Sequence, residues 1–283
     1  MIYPFYVNDF DRVKNFRKDF PGVGKIFDYP VSFWYGARRG KSSLPEAGIK
    51  RLLKRSFPSL PVFVIYNLPN RDMGHHSKGG AKSSQDYLSF IESFCKGIGD
   101  NCPIVIYEPD GLPHVNDNRD DDRIPLMKAA LRLLSNTGAT VYIDIGHSNW
   151  LTVEQANELL NLVSNPDIRG FALNTSNYRS TKESMEFGNH LCELRHNDHF
   201  VIDTSRNGNG PFGNEWCNPP GRALGEFPTC ETGNSNCDAF LWIKVPGESD
   251  GKCNNGPRAG RFWPEQAEKL LSATIKHNSY ILK

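Results

Sequence analysis

Seven short apolar runs, rich in β-branched and aromatic residues, alternate along this chain with six longer amphipathic stretches. The predicted strands are Val31–Tyr35, Val62–Tyr66, Ile104–Tyr107, Thr140–Asp144, Gly170–Ala172, Phe200–Asp203 and Ala239–Val245. The predicted helices are Pro45–Ser56, Ser84–Lys96, Ile124–Asn136, Val153–Ser164, Thr181–Arg195 and Pro264–Lys276. Within the third, Ile124, Met127, Leu131 and Leu134 share one face at helical spacing. Strands that are apolar throughout, each followed by a helix, require a parallel sheet covered on both faces. Seven of them favour a closed or nearly closed barrel over a doubly wound sheet. No G-x-G-x-x-G and no G-x-x-x-x-G-K opens a helix, which disfavours nucleotide chemistry. With no repeat, low-complexity tail or linker, residues 1–283 read as a single domain.

Charge excludes further classes. The 283 residues carry 33 Lys+Arg against 32 Asp+Glu, a formal net charge of +1. A nucleic-acid binder of the ordinary kind would show a basic excess. No run approaches the roughly 20 apolar residues of a membrane span. Nucleic acid and membrane are therefore not expected partners, and the chain is expected to be a monomer. Seven cysteines include no pair of C-x-x-C motifs, which argues against structural zinc. Cys217, Cys230, Cys237 and Cys253 cluster in a Gly/Pro/Asn-rich region and read as disulfides in an oxidising compartment, so a secreted, extracellular protein is expected. The odd count leaves a free thiol, expected to be Cys192, buried within a helix. No signal-peptide pattern precedes Ile2, so a mature or excised domain is expected.

Polar clusters follow the apolar runs with unusual regularity. Asn67 to Asp72, Glu108 to Asp110, Asp144 to His147, Asn174 to Asn177, Asp203 to Asn207 and Glu248 to Asp250 each come after a predicted strand. In a parallel barrel the strand C-termini open on one face, where active sites lie. Asp72, Asp110, Asp144, Asp203 and Asp250 would then surround one cleft. Any one of them alone would be explained as a cap or turn residue. Five from five strands, with Arg71, Arg206 and Lys244 among them, exceed what capping supplies. Carboxylates combined with Trp34, Trp150 and Trp216 fit glycoside hydrolysis, which needs one protonated carboxyl and a second group acting through water or as nucleophile. Trp242, inside a strand, reads as core.

Seven ordered motifs resemble glycoside hydrolase family 6, the inverting cellulases. They are Tyr66-Asn-Leu-Pro-Asn-Arg-Asp72, Tyr107-Glu-Pro-Asp110, Tyr142 to Trp150, Arg169 to Tyr178, Asp203 to Gly208, Trp216-Cys-Asn-Pro-Pro-Gly221 and Trp242 to Gly251. The resemblance implies a distorted, incompletely closed parallel β/α barrel, TIM-like with about seven strands, that hydrolyses β-1,4-glucan. It implies Asp110 as general acid, Asp72 as the carboxylate that raises the acid's pKa, Asp250 in the position proposed as base, and Tyr66 beneath the reactive sugar. Ser77 resembles the serine that positions water. Trp34, Asp144, His147, Trp150, Asn174, Arg206, Trp216, Lys244 and Glu248 resemble substrate-binding or site-ordering positions. The resemblance also implies a Cys217–Cys253 disulfide, with Cys230–Cys237 and Cys95–Cys102 as candidate extra bridges. Met73 stands where the family commonly has another bridged cysteine.

No cofactor and no metal are expected: His75-His76 reads as a solvated pair and Asp120-Asp121-Asp122 as a solvated helix approach. The Asn174-Thr-Ser sequon would point into the cleft and is discounted. Only 13 residues separate Asp250 from Trp263, too few for the long loop that roofs the exo-acting members, so internal cleavage is expected. A cellobiohydrolase is the alternative, and a non-catalytic glucan-binding protein a further one.

Overall fold

The computed structural model describes residues 5–36, 44–72, 76–117, 122–163 and 165–277. Seven strands, β1 (Phe33–Tyr35), β2 (Val62–Ile65), β3 (Ile104–Tyr107), β4 (Thr140–Asp144), β5 (Gly170–Leu173), β6 (His199–Asp203) and β7 (Cys237–Leu241), pair in sequence order, all parallel. The sheet curls into an open half-barrel, because β1 and β7 do not pair. β2 to β5 are buried almost throughout, as their unbroken apolar sequences require.

Period-2 alternation sorts the strand side chains into two cores. Phe63, Ile65, Val105, Tyr107, Val141, Ile143, Phe171, Leu173, Phe200 and Ile202 face outward onto the helices. Val62, Val64, Ile104, Ile106, Tyr142, Ala172, Val201, Ala239 and Leu241 fill the interior. The outer layer is α3 (Glu46–Ser56), α4 (Ser84–Ile98), α6 (Arg123–Leu134), α7 (Val153–Leu162) and α8 (Thr181–Leu194), with the single turn α5 (Pro113–Asp117) between β3 and α6. Three of these helices start where a side chain accepts the first orphan N–H groups: Ser83 for α4, Ser180 for α8, and a Thr152–Gln155 capping box for α7. Gly170 opens β5 at φ +153°, and a Cβ there would lie 1.8 Å from the His199 carbonyl oxygen on β6. No side chain fits between those two backbones.

The gap between β1 and β7 is filled rather than left open. A third core packs Val13, Val23, Ile26, Phe27 and Val31 against Trp242, Leu224, Leu270 and Leu271. It brings together α1 (Asp11–Asp19), α2 (Pro21–Gly24), the 3₁₀ turn Lys25–Asp28 and α9 (Pro264–His277). Trp242 is 1% exposed, as its place in a predicted strand suggested, and the N–H of its indole donates to the Glu226 carbonyl at 3.1 Å. Truncating a side chain of this size to alanine costs about 3–5 kcal/mol. The Ser32 N–H and the Trp34 indole donate to the carbonyls of Trp242 and Ile243 at 3.2 and 2.8 Å, and so bridge the two edges.

Most predicted elements match to within two residues. The last strand is displaced: it spans Cys237–Leu241 rather than Ala239–Val245. Asp238 looks like a turn residue in sequence, yet its carboxylate accepts from the Tyr142 hydroxyl at 2.6 Å and from Arg169 at 2.8 and 3.0 Å, which lets the strand begin early. α1 was not predicted, because its sequence is mostly charged and its few apolar residues pack into the third core, Phe16 meeting Phe27 and the distant Phe262 edge-on at 5.4 and 4.5 Å. Met73, His75, Asp120 and Asp121 lie outside the described residues.

Candidate active site

Loops after the strand C-termini enclose a cleft of about 370 Å³. Trp34, Tyr66, Asp72, Ser77, Asp110, His147, Trp150, Trp216, Lys244 and Asp250 all line it, as the sequence placed them. Backbone conformation explains how. Asp72, Asp110, Asn174, Ser176 and Asn218 all adopt φ between +50° and +67°, and Glu108 sits at +49°. Such left-handed residues are uncommon outside glycine and concentrate where a loop must turn a side chain sharply. Here they lift Asp72 and Asp110 off the ends of β2 and β3.

On one wall, burial first, then the charges of Asp144, Asp72 and Asp250, raise the pKa of Asp110 well above that of an ordinary carboxyl, with Lys244 opposing. Asp72 accepts the Ser77 N–H at 2.5 Å. Arg71 runs beside them, its guanidinium 4.6 Å from the centre of the Tyr66 ring and donating to the Ser77 carbonyl at 2.9 Å. Trp34 meets Tyr66 edge to face at 5.6 Å.

The opposite wall treats its carboxylate differently. Burial alone would raise Asp250, but Arg206 and Lys244, with hydrogen bonds from Arg206 and the Asn218 backbone, hold it below the usual range. Its Oδ2 accepts from Arg206 at 2.9 Å, from the Tyr178 hydroxyl at 3.0 Å and from the Asn218 N–H at 3.0 Å. Lys244 Nζ stands 3.6 Å from Oδ1. The Arg206 guanidinium also stacks 4.4 Å over the Tyr178 ring. Asn218 returns the contact, accepting the Asp250 N–H at 2.8 Å and donating to the Gly251 carbonyl at 2.9 Å.

Aromatic rings mark the two ends. Trp216 is 47% exposed beside His76, at 5.9 Å. Trp150 is flanked by His114 at 4.9 Å and His147 at 5.9 Å. Burial, then the positive charge of Arg179, pushes the His147 imidazole down to about 4. Flat, half-exposed rings at both ends of a carboxylate-lined cleft suit a chain of pyranose rings, which present apolar faces and hydroxyl edges.

The sequence profile of Glycosyl hydrolases family 6 matches residues 12–274. The chain belongs to this family. Among its family 6 relatives, Endoglucanase A of Cellulomonas fimi is 44% identical over 249 residues, 87% of this chain and 55% of that protein. Endoglucanase 1 of Streptomyces sp. strain KSM-9 is 41% identical over 254 residues, 87% of this chain and 70% of that protein. The chain thus spans about half the length of the first of these relatives. The structure of the endoglucanase Cel6 from Mycobacterium tuberculosis, in complex with methyl-cellobiosyl-4-deoxy-4-thio-β-D-cellobioside, superposes with a TM-score of 0.88 at 35% identity, over 96% of this chain and 97% of that one.

Family 6 membership does not put every expected residue on the cleft wall. Asp144 is fully buried beneath it, its Oδ1 accepting the Asp110 and Gly146 N–H groups at 2.9 and 3.1 Å, and burial pushes it up to about 7. Asp203, also buried, accepts from the Ser176, Ser205 and Lys244 N–H groups. Asn174 is buried too, and its amide spans the Arg179 and Asp203 carbonyls, which removes the sequon from consideration. Arg206 lies behind Asp250 rather than facing the cleft. Glu248 pairs with Phe262 in an isolated bridge off the cleft wall. Asp144, Asp203, Asn174 and Arg206 thus brace the cleft loops from below or behind, while Glu248 makes its bridge away from the cleft.

Cys217–Cys253 is bonded, with a Cα separation of 6.0 Å. The other proposed bridges do not form. Cys237 lies 2% exposed in the outward core at the start of β7, whereas Cys230 is exposed on the preceding loop. Cys95 and Cys102 are also free, Cys95 half-buried on α4 and Cys102 exposed. Cys192 is a buried free thiol, as expected.

Sequence reasoning missed Tyr178, Asn218 and Arg179. Tyr178 and Asn218 lie inside two of the seven motifs, and for Asn218 the signal was available: a polar residue directly before Pro219-Pro220-Gly221 has no helix or strand to serve.

Proposed function

We propose that the protein is a secreted, monomeric endoglucanase that hydrolyses internal β-1,4-glucosidic bonds of cellulose and related β-glucans with inversion of the anomeric centre. One observation carries this reading: two aspartates in a single aromatic-flanked cleft have opposite surroundings, Asp110 buried among other carboxyls and Asp250 held by Arg206, Lys244, the Tyr178 hydroxyl and the Asn218 N–H. Asp110, high in pKa, donates its proton to the leaving glycosidic oxygen. Water enters from the other face, with Asp250 as the carboxylate that accepts its proton directly or through a relay, and Asp72 and Ser77 ordering the water network. Tyr66 sits under the reacting ring. Trp34 and Trp216 grip the non-reducing side and Trp150 the leaving side.

Internal cleavage is supported by the course of the chain after Asp250. The Ser249 N–H bonds the Arg261 carbonyl at 3.0 Å, and the Trp263 N–H bonds the Gly247 carbonyl at 2.8 Å. The segment therefore folds back on its own base instead of crossing the cleft. After Trp150, buried Leu151 and the Thr152 cap lead directly into α7, leaving no room for a second platform there. No helix among the described residues is long and apolar enough to cross a membrane.

Carboxymethylcellulose tests this. Viscosity is expected to fall steeply before much reducing sugar appears, with early products of several lengths. Cellobiose alone from the first minutes, with viscosity unchanged, would replace this reading by the cellobiohydrolase one. Proton NMR of fresh hydrolysate is expected to show the α-anomer first, and β first would exclude inversion.

A further inference from the structure

Glu108 precedes Asp110 by two residues, yet it does not face the cleft. It is 1% exposed, and its carboxylate points toward the neighbouring β2 loop. Its two oxygens accept the Asn67 N–H at 3.1 and 2.9 Å, and Oε2 also accepts the Leu68 N–H at 3.1 Å. Those two residues begin the segment that ends at Asp72. Further bonds stiffen the same segment: the Arg71 N–H donates to the Leu68 carbonyl at 3.2 Å, and the Ala81 N–H to the Asn67 carbonyl at 2.9 Å. On its own strand, the Glu108 carbonyl accepts the Gly111 N–H at 2.9 Å, closing the turn that presents Asp110. One residue thus holds the base of the Asp72 loop with its side chain and the Asp110 turn with its backbone.

We propose that Glu108 is a positioning residue that sets Asp72 against Asp110 by clasping the Asn67–Leu68 backbone. The inference rests on the assignment of Asp110 as general acid. The Glu108 carboxyl meets N–H donors from Asn67 and Leu68 on one side and, on the other, the fully buried Tyr87, whose hydroxyl donates to that of Tyr107 at 2.9 Å. A carboxylate suits this setting, whereas a glutamine would turn an NH₂ group toward donors. The groups facing Glu108 are Arg71, Tyr66, Tyr87 and Tyr107. Those facing Asp110 are Asp144, Asp72, Asp250, Lys244 and Tyr66. Asp72 is the member of that second set that the clasp controls, and its negative charge helps keep the proton on Asp110. A loosened loop would let that charge move away, and Asp110 would lose its proton at lower pH.

The test is the pH dependence of cellohexaose hydrolysis by wild type, Glu108→Gln and Tyr87→Phe, with thermal unfolding in parallel. Glu108→Gln is expected to lower kcat at least tenfold, leave KM within twofold, and move the alkaline limb of the kcat profile to lower pH. Tyr87→Phe, which removes only a hydroxyl beside Glu108, is expected to shift the limb in the same direction by less. Variants that lose thermal stability while keeping the wild-type kcat and limb would overturn the proposal. If Glu108→Gln does not fold, an unmoved limb in Tyr87→Phe overturns it. An inert wild type, or an active Asp110→Asn, would overturn the acid assignment itself, an outcome distinct from failure of the clasp.

Discussion

Asp110 and Asp250 are the same residue type, each set in a loop beyond a strand of one sheet, and their walls treat them oppositely. The Asp110 wall surrounds its carboxyl with other carboxyls and few cations. The Asp250 wall supplies Arg206, Lys244, the Tyr178 hydroxyl and the Asn218 N–H, and the Cys217–Cys253 disulfide joins its loops covalently. The lesson is that residue identity says little about protonation. A proton is held where like charges crowd a desolvated group, and released where donors converge on it. The stiffness of the two walls differs as well: one has a covalent crosslink, while the other hangs on N–H bonds to buried carboxylates.

Removing the proposed proton donor should break the comparison most severely. Asp110→Asn is expected to lower kcat by about 10²–10⁴ on a cello-oligosaccharide, with KM little changed, because the acid acts mainly in the transition state. Steady-state kinetics retaining activity within about tenfold of wild type would take Asp110 out of the role. On the other wall, Arg206→Gln strips the main cation from a buried carboxylate. It is expected to cost about 3–5 kcal/mol in urea unfolding, the penalty for stranding one member of a buried pair. It should also raise the Asp250 pKa, moving the acidic limb of the pH profile upward. The sign for stability follows from the depressed pKa of Asp250 in the folded protein: the stabilisation from this pair is present above the unfolded-state value and lost as pH falls through the folded one. An unshifted acidic limb would show that Arg206 does not govern Asp250.

Reduction of Cys217–Cys253 sharpens the contrast in stiffness. The bridge closes a loop over a separation of 36 residues, and chain entropy puts its contribution at about 4 kcal/mol. Activity should fall too, since the Trp216 and Asp250 loops are tied at that point. Peptide mapping that found both thiols free in the native protein would refute this. A smaller effect concerns the buried carboxyls of the Asp110 wall. Burial raises Asp144 to about 7, and burial with neighbouring carboxylates raises Asp110 well above the ordinary carboxyl range. The native state therefore binds more protons than the unfolded one between about pH 4 and 7, and stability should decline as pH rises through that window. The loss should amount to a few kcal/mol. A Tm that is flat or rising from pH 5 to pH 8, by calorimetry, would show that these groups ionise normally.

How much of this was legible in the sequence differs between fold and site. Strand positions were readable because a buried parallel strand admits almost nothing but apolar residues, and β3 and β4 match to the residue. β7 was misplaced because Asp238 is satisfied by Tyr142 on β4 and by Arg169, just before β5. In the site, Asp72, Asp110 and Asp250 reach the cleft as read. Asp144 and Asp203 look identical in sequence but turn downward to accept N–H groups. A polar residue after a strand can point up as a reagent or down as a clamp, and the loop's path decides which. Nothing local encodes that choice. The same holds for Cys237, which the sequence groups with Cys230 and the fold assigns to the core.

The order of the strands has a consequence for how the molecule comes into being. Each strand from β2 to β7 pairs with the strand just before it, so a growing chain can add every new unit to a finished edge, closing a connection that is short beside the length of the chain. The seam departs from this rule. Ser32 and Trp34 wait for Trp242 and Ile243, partners 210 and 209 residues away. Trp34 therefore takes its place on the cleft only when the last strand has been laid down and α9 has sealed the gap, so an almost finished chain still lacks that wall of the cleft.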